Sequence, residues 1–220
     1  MIGWTQIRED RRMLYSPVGL RLVDDLTGAT PDGVVRVDLD EQDANGIWHL
    51  TDIQPVRSPS YVLLYPGLGR SSQLVFPPIR HYRVRLNGDW YLADYLASND
   101  GIEFDVHPYN DDTPPAIVPT HPDNVFLLPS TSYPFQGHVR VLRGVVTDAL
   151  NNPVAFVEVV QGGTERVLTD SRGGFALPLR WPPIVGVLQI DATDNRTGRS
   201  GFINVNLPGD LSKGHTIIIT

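Results

Sequence analysis

Six histidines stand at positions 49, 81, 107, 121, 138 and 215, and imidazole is the side chain best suited to proton transfer and zinc ligation near neutral pH. They form no HExxH run and no i, i+4 pair beside a glutamate, so a zinc hydrolase site is not expected. Cysteine is absent, which removes disulfides, thiolate zinc sites, iron–sulfur clusters and a cysteine nucleophile. The acidic run DLDEQDANG, Asp38 to Gly46, carries the oxygen donors that calcium needs, but Asp43 and His49 fall where an EF-hand loop requires glycine and glutamate. It reads as a solvated strand end. PGLGRSS, Pro66 to Ser72, lacks the phosphate-loop lysine and any helical pattern after it, and no GxSxG elbow occurs. No catalytic residue, metal ligand or cofactor is therefore expected, and the chain reads as a non-enzyme.

Two groups of residues remain as candidates for binding. Trp90, Tyr91 and Tyr95, within LNGDWYLADYLASND, could form a platform for sugar rings or pack into a core. Near the N-terminus, Trp4, Ile7, Arg11 and Leu14 fall at heptad-like spacing. A short helix there would present a narrow apolar stripe, with Trp4, Ile7 and Leu14 meeting either a partner subunit or an open sheet edge of the same chain.

The 220 residues are 41% hydrophobic and 20% charged, which supports a folded core and argues against disorder. A formal net charge of −7 has the wrong sign for neutralising phosphates, so nucleic acid is not an expected partner. Apolar runs fall far short of the roughly 20 residues that span a bilayer, so membrane insertion is not expected. Arg8, Glu9, Asp10, Arg11 and Arg12 interrupt any signal-peptide core, which predicts cytoplasmic synthesis without a signal peptide.

The elements that must position these residues are strands. Twenty glycines and nineteen prolines punctuate short alternating runs: PVGLRLVDD, VVRVDLDE, IWHLTDI, YVLLYP, IRHYRVRL and GIEFDVHPY in the first half. In VVRVDLDE, Val35, Val37 and Leu39 share one face while Arg36, Asp38 and Asp40 share the other. Seven further runs follow after residue 137, beginning VRVLRGVVT and ending HTIIIT. Between them HPYNDDTPPAIVPTHPDNVFLLPSTSYPFQG holds seven prolines and predicts a stiff, extended connector. Its apolar residues from Val125 to Phe135 should dock along a domain or in the seam between two. The expected fold is all-β, two small antiparallel β-sandwiches (Ig-like or transthyretin-like) joined by a proline-rich linker. The parts are an arm at 1–16, a sandwich at 17–108, the linker at 109–136 and a second sandwich at 137–220.

In the last part Gly144, Val146 and Asp148 lead to Pro153, and Thr169, Asp170, Gly173 and Phe175 stand as T-D-x-x-G-x-F. With these residues about a third of the chain resembles the carboxypeptidase regulatory-like domain family. The resemblance implies a transthyretin-like sandwich that serves as a structural or adhesive module without catalysis of its own. From the residues themselves, Gly173 and Gly174 suit the positive φ of a tight hairpin, Asp170 suits bonding the turn, and Phe175 should enter the core. The whole organisation resembles accessory proteins of phage tails and phage tail-like contractile injection particles. That implies a structural or adaptor role, other protein subunits as partners, and incorporation into a virion or injection particle. The alternative is a carbohydrate- or surface-binding sandwich, with Trp90, Tyr91 and Tyr95 as the sugar platform.

Overall fold

The structure, a computed structural model, describes residues 13–73, 75–181 and 185–220. The first half contributes β1 (Gly19–Asp24), β2 (Val35–Gln42), β3 (Trp48–Leu50), β4 (Val56–Arg57), β5 (Val62–Leu64), β6 (Arg80–Gly88), β7 (Tyr91–Ala93), β8 (Ile102–Val106) and β9 (Asp123–Pro129). The second half contributes β10 (Val141–Asp148), β11 (Glu158–Gln161), β12 (Glu165–Leu168), β13 (Gly174–Pro178), β14 (Gly186–Asp194), β15 (Arg199–Leu207) and β16 (His215–Ile219). The one helical element among the described residues is a 3-10 turn, Asp94–Ala97. The fold is all-β.

The strands form four sheets, ordered β4-β5-β1-β9-β7, β3-β2-β6-β8, β13-β10-β16 and β12-β11-β14-β15. Alternation explains the faces: Val35, Val37 and Leu39 of β2 are buried, and opposite them on β6 Leu86 and Val84 are buried too. The apolar side chains divide into two large clusters. One holds Leu20, Leu22, Leu39, Tyr82, Val84 and Leu127, and the other Leu142, Val146, Phe175, Ile190, Val205 and Ile217.

Two expectations are corrected by the strand pairing. Residues 123–129, expected in the linker, are β9, which pairs parallel with β1 and antiparallel with β7. The physical reason lies in VFLLP: Val125, Leu127, Leu128 and Pro129 are buried on both faces of the strand, so the run shows no alternation. The first core therefore continues past residue 108, through β9 to Tyr133, which packs against it. The sheets are also not purely antiparallel. In each half the first strand pairs parallel with the last, β1 with β9 and β10 with β16.

The polar face of β2 is not uniformly solvated either. Asp40 is 2% exposed, because Arg83 and Arg85 on β6 both reach it: Arg83 Nη2 at 2.8 Å, Arg85 Nε at 2.7 Å and Arg85 Nη2 at 2.9 Å. Burial alone would raise this carboxyl, but the two guanidiniums outweigh it and hold it below the ordinary aspartate value. Asp43 closes the turn to β3, accepting from the Asn45 and Ile47 amides and pairing with His49 at 3.0 Å. With the Ile47 amide as the largest cause, its pKa falls to about 2.

Candidate functional site

Trp90, Tyr91 and Tyr95 sit close in sequence but share no open face. Tyr91 is 3% exposed, and its hydroxyl donates to Asp24 at 3.0 Å while accepting from the Asp32 amide at 3.1 Å. The Tyr95 hydroxyl accepts from the Leu86 amide at 2.7 Å. Trp90 is half-buried against Gly33, at the mouth of a cleft of about 260 Å³ shared with Leu26, Tyr133 and Arg180. The β7 period turns Tyr91 toward the first core and Leu92 toward the cluster of Leu128 and Leu168, and the Tyr91 and Tyr95 hydroxyls are committed to bonds within the chain. Of the N-terminal stripe, Trp4, Ile7 and Arg11 lie outside the described residues; Leu14 is exposed and not helical.

The T-D-x-x-G-x-F run turns a corner from one sheet to another, because β12 and β13 belong to different sheets. It is not a hairpin. Asp170 accepts from the Arg172 and Gly174 amides, both at 2.9 Å. Gly173 adopts φ +73°, and a Cβ there would stand 2.6 Å from the Val146 carbonyl oxygen, so both backbone sign and space demand glycine. The buried Thr169 hydroxyl donates to the Val154 carbonyl and accepts from the Val157 amide.

The turn after β1 reaches across to the second half. Asp24 is buried and accepts from Leu26 and Thr27 amides and from the hydroxyls of Tyr91 and Tyr133. So held, the turn offers the Asp25 carboxylate to Arg166 at 3.0 Å and the Leu26 carbonyl to Arg180. Arg180 is itself aimed by Glu165, a 1% exposed carboxylate that it meets at 3.1 Å. Beside these bonds lies a third apolar cluster of Leu128, Ala97 and Leu168, flanked by Leu92 and Leu96. Burying Leu128 and Leu168 stabilises the seam by about 2 kcal/mol each. At its far side Arg196 donates to the carbonyls of Leu96 and Asn99 and pairs with Asp100 at 2.9 Å. Of these polar partners Asp24 and Glu165 are buried, while the three arginines are each about a third exposed.

A larger cleft, of about 470 Å³, opens at the end of the first half where β2 and β8 finish and β3 and β6 begin. Tyr15, Trp48, Tyr82, Phe104 and Tyr109 supply aromatic walls, and Gln42, His81, Glu103, Asp105 and His107 supply polar groups. His81 Nδ1 meets Asp105 Oδ1 at 2.6 Å. A histidine–carboxylate pair can serve a nucleophile, but Ser16, a hydroxyl in this lining, donates to the Val18 carbonyl and accepts from the Tyr65 amide. Among the described residues no group of three histidine, aspartate or glutamate side chains is placed to hold a metal ion. The sequence did not single out this cleft, since its residues come from strand ends far apart in the chain.

No family model matches the chain, and no curated protein matches it. Among solved structures it is similar to the Bacillus anthracis TIE protein, at 12% identity and a TM-score of 0.30, over 94% of this chain and 33% of that one. It is also similar to a C-terminal fragment of the pilus adhesin SpaC from Lactobacillus rhamnosus GG, at 10% identity and a TM-score of 0.22, over 92% of this chain and 95% of that one. The chain thus spans about a third of the length of the TIE protein.

Proposed function

We propose that the chain is a non-catalytic structural adaptor, made in the cytoplasm and incorporated into a phage tail or phage tail-like contractile injection particle among other protein subunits. In this reading the two cores are two small β-sandwich units, the second of the carboxypeptidase regulatory-like kind, with the first ending after β9. The observation that carries the reading is the seam: Glu165 holds Arg180 on the Leu26 carbonyl while Arg166 pairs with Asp25. An adaptor that transmits position between neighbours needs two binding faces at a fixed spacing, and a seam of satisfied polar bonds supports that reading. Mass spectrometry of gradient-purified particles from the source cell tests the reading. The chain is expected at a fixed ratio to the sheath and tube proteins, with deletion of its gene leaving incomplete particles. Particles that lack it would overturn the reading. A second reading, a carbohydrate- or surface-binding module, is favoured by the 470 Å³ aromatic cleft rather than by Trp90, Tyr91 and Tyr95.

A further inference from the structure

The 470 Å³ cleft combines ring walls with polar groups that the fold leaves uncommitted. Glu103 is exposed, and neither its side chain nor that of His107 has a hydrogen-bond partner among the described residues. Asp105, also exposed, shares only the His81 bond. Among the described residues no arginine or lysine lines the cleft, so its two carboxylates disfavour a phosphate or other anion there.

The rings narrow the choice further. Phe104 stacks with Tyr65, at 6.4 Å, and with Tyr82, at 6.0 Å, while Tyr15 and Tyr109 meet in a T-shape at 5.3 Å. Tyr82 and Tyr109 are each 1% exposed, so they do not supply the free faces that a quaternary ammonium cage needs. Trp48, half-buried in the lining, carries the Arg83 guanidinium on its ring, 4.6 Å from the centroid. Arg83 is in turn fixed by Asp40, so the indole is held in place by a buried ion pair. One oriented indole face beside carboxylate, imidazole and amide groups suits a ring with apolar C–H faces and hydroxyl edges.

We propose that this cleft binds a neutral saccharide, with one sugar ring against Trp48 and its hydroxyls donating to Glu103 and Asp105. The site rests on the second functional reading and is independent of the particle reading. His107 and Gln42 extend the polar lining, and Pro115 and Ile117 of the proline-rich segment form part of the wall.

A printed array of defined oligosaccharides, followed by calorimetry of the intact protein with the best-binding sugar, tests the proposal. Trp48→Ala and Glu103→Ala are each expected to weaken that sugar roughly tenfold or more, as loss of a central contact does. Trp181→Ala, at an exposed tryptophan of the second half, is expected to leave it unchanged. Glu103 is solvent-facing, so its variant keeps the test meaningful if Trp48→Ala disturbs Arg83. Sugar binding that survives both cleft variants overturns this site while leaving the carbohydrate reading standing. No sugar bound at all overturns both. Tetramethylammonium that binds in the cleft when no neutral sugar does overturns the ligand class.

Discussion

Arg166 and Asp25, 141 residues apart in the chain, meet at 3.0 Å across the seam between the two cores. Arg166 also lies over the Phe126 ring, 5.6 Å from its centroid, so one guanidinium contacts a turn, a strand and, through Glu158 at 4.0 Å, its own sheet. The seam is laid down by secondary structure: β12 places Arg166, β9 places Phe126, and the Asp24 turn places Asp25.

Removing the carboxylate that aims Arg180 should loosen this seam. Glu165→Ala leaves a partly buried guanidinium without its main partner, and a loss of about 3 kcal/mol is expected. Glu165→Gln keeps the shape and should lose less. Urea denaturation of the two variants beside the parent measures the difference.

The buried Asp24 carboxylate gathers two tyrosine hydroxyls. Tyr133→Phe removes one bond to a charged acceptor and should cost about 1.5–3 kcal/mol. Asp24→Ala should cost more, since it strands both hydroxyls and two turn amides. Thermal melts followed by circular dichroism check the order.

Asp40 should govern part of the acid limb of stability. Its folded pKa is depressed by Arg83 and Arg85 against burial, so its contribution is complete above its unfolded value of about 3.9 and disappears as pH falls through the lower folded value. Asp40→Asn removes that contribution at neutral pH. The gap in melting temperature between parent and variant should therefore be widest above about pH 5 and narrow as pH falls below the ordinary aspartate value.

Glycine is required where strands approach closely. A Cβ at Gly201 would stand 2.1 Å from the Ile218 carbonyl oxygen, so Gly201→Ala must push β15 from β16 and is expected to cost about 2 kcal/mol or more. Gly214 has open space around it and no positive φ, and Gly214→Ala should change stability by less than about 0.5 kcal/mol. Chemical denaturation of both variants compares them.

Much of this architecture was legible in the chain. The seven strands of the second half follow the apolar runs and their turns, most plainly in β14, β15 and β16, which carry one buried face and one wetter one. The strand β9 escaped, since a strand covered on both faces shows no alternation and its flanking prolines suggest a connector. Asp40 escaped for another reason: its partners sit on a neighbouring strand more than forty residues away, and no local pattern marks such a pairing. The aromatic cleft is likewise assembled from strand ends, so Trp48, Glu103 and Asp105 carry no shared motif. Trp90, Tyr91 and Tyr95 stand out in the sequence by proximity alone, and the pleat of β7 buries Tyr91.

The central claim, one rigid body across the seam, is open to a direct measurement because the chain has no cysteine. Spin labels on Asn87→Cys and Thr216→Cys, both exposed positions on opposite halves, report the distance between the cores by pulsed electron paramagnetic resonance. A single narrow distance distribution is predicted, broadening when Arg166→Ala and Arg180→Ala are added. A broad or several-peaked distribution in the otherwise unaltered chain would show that the halves move independently and would contradict the account.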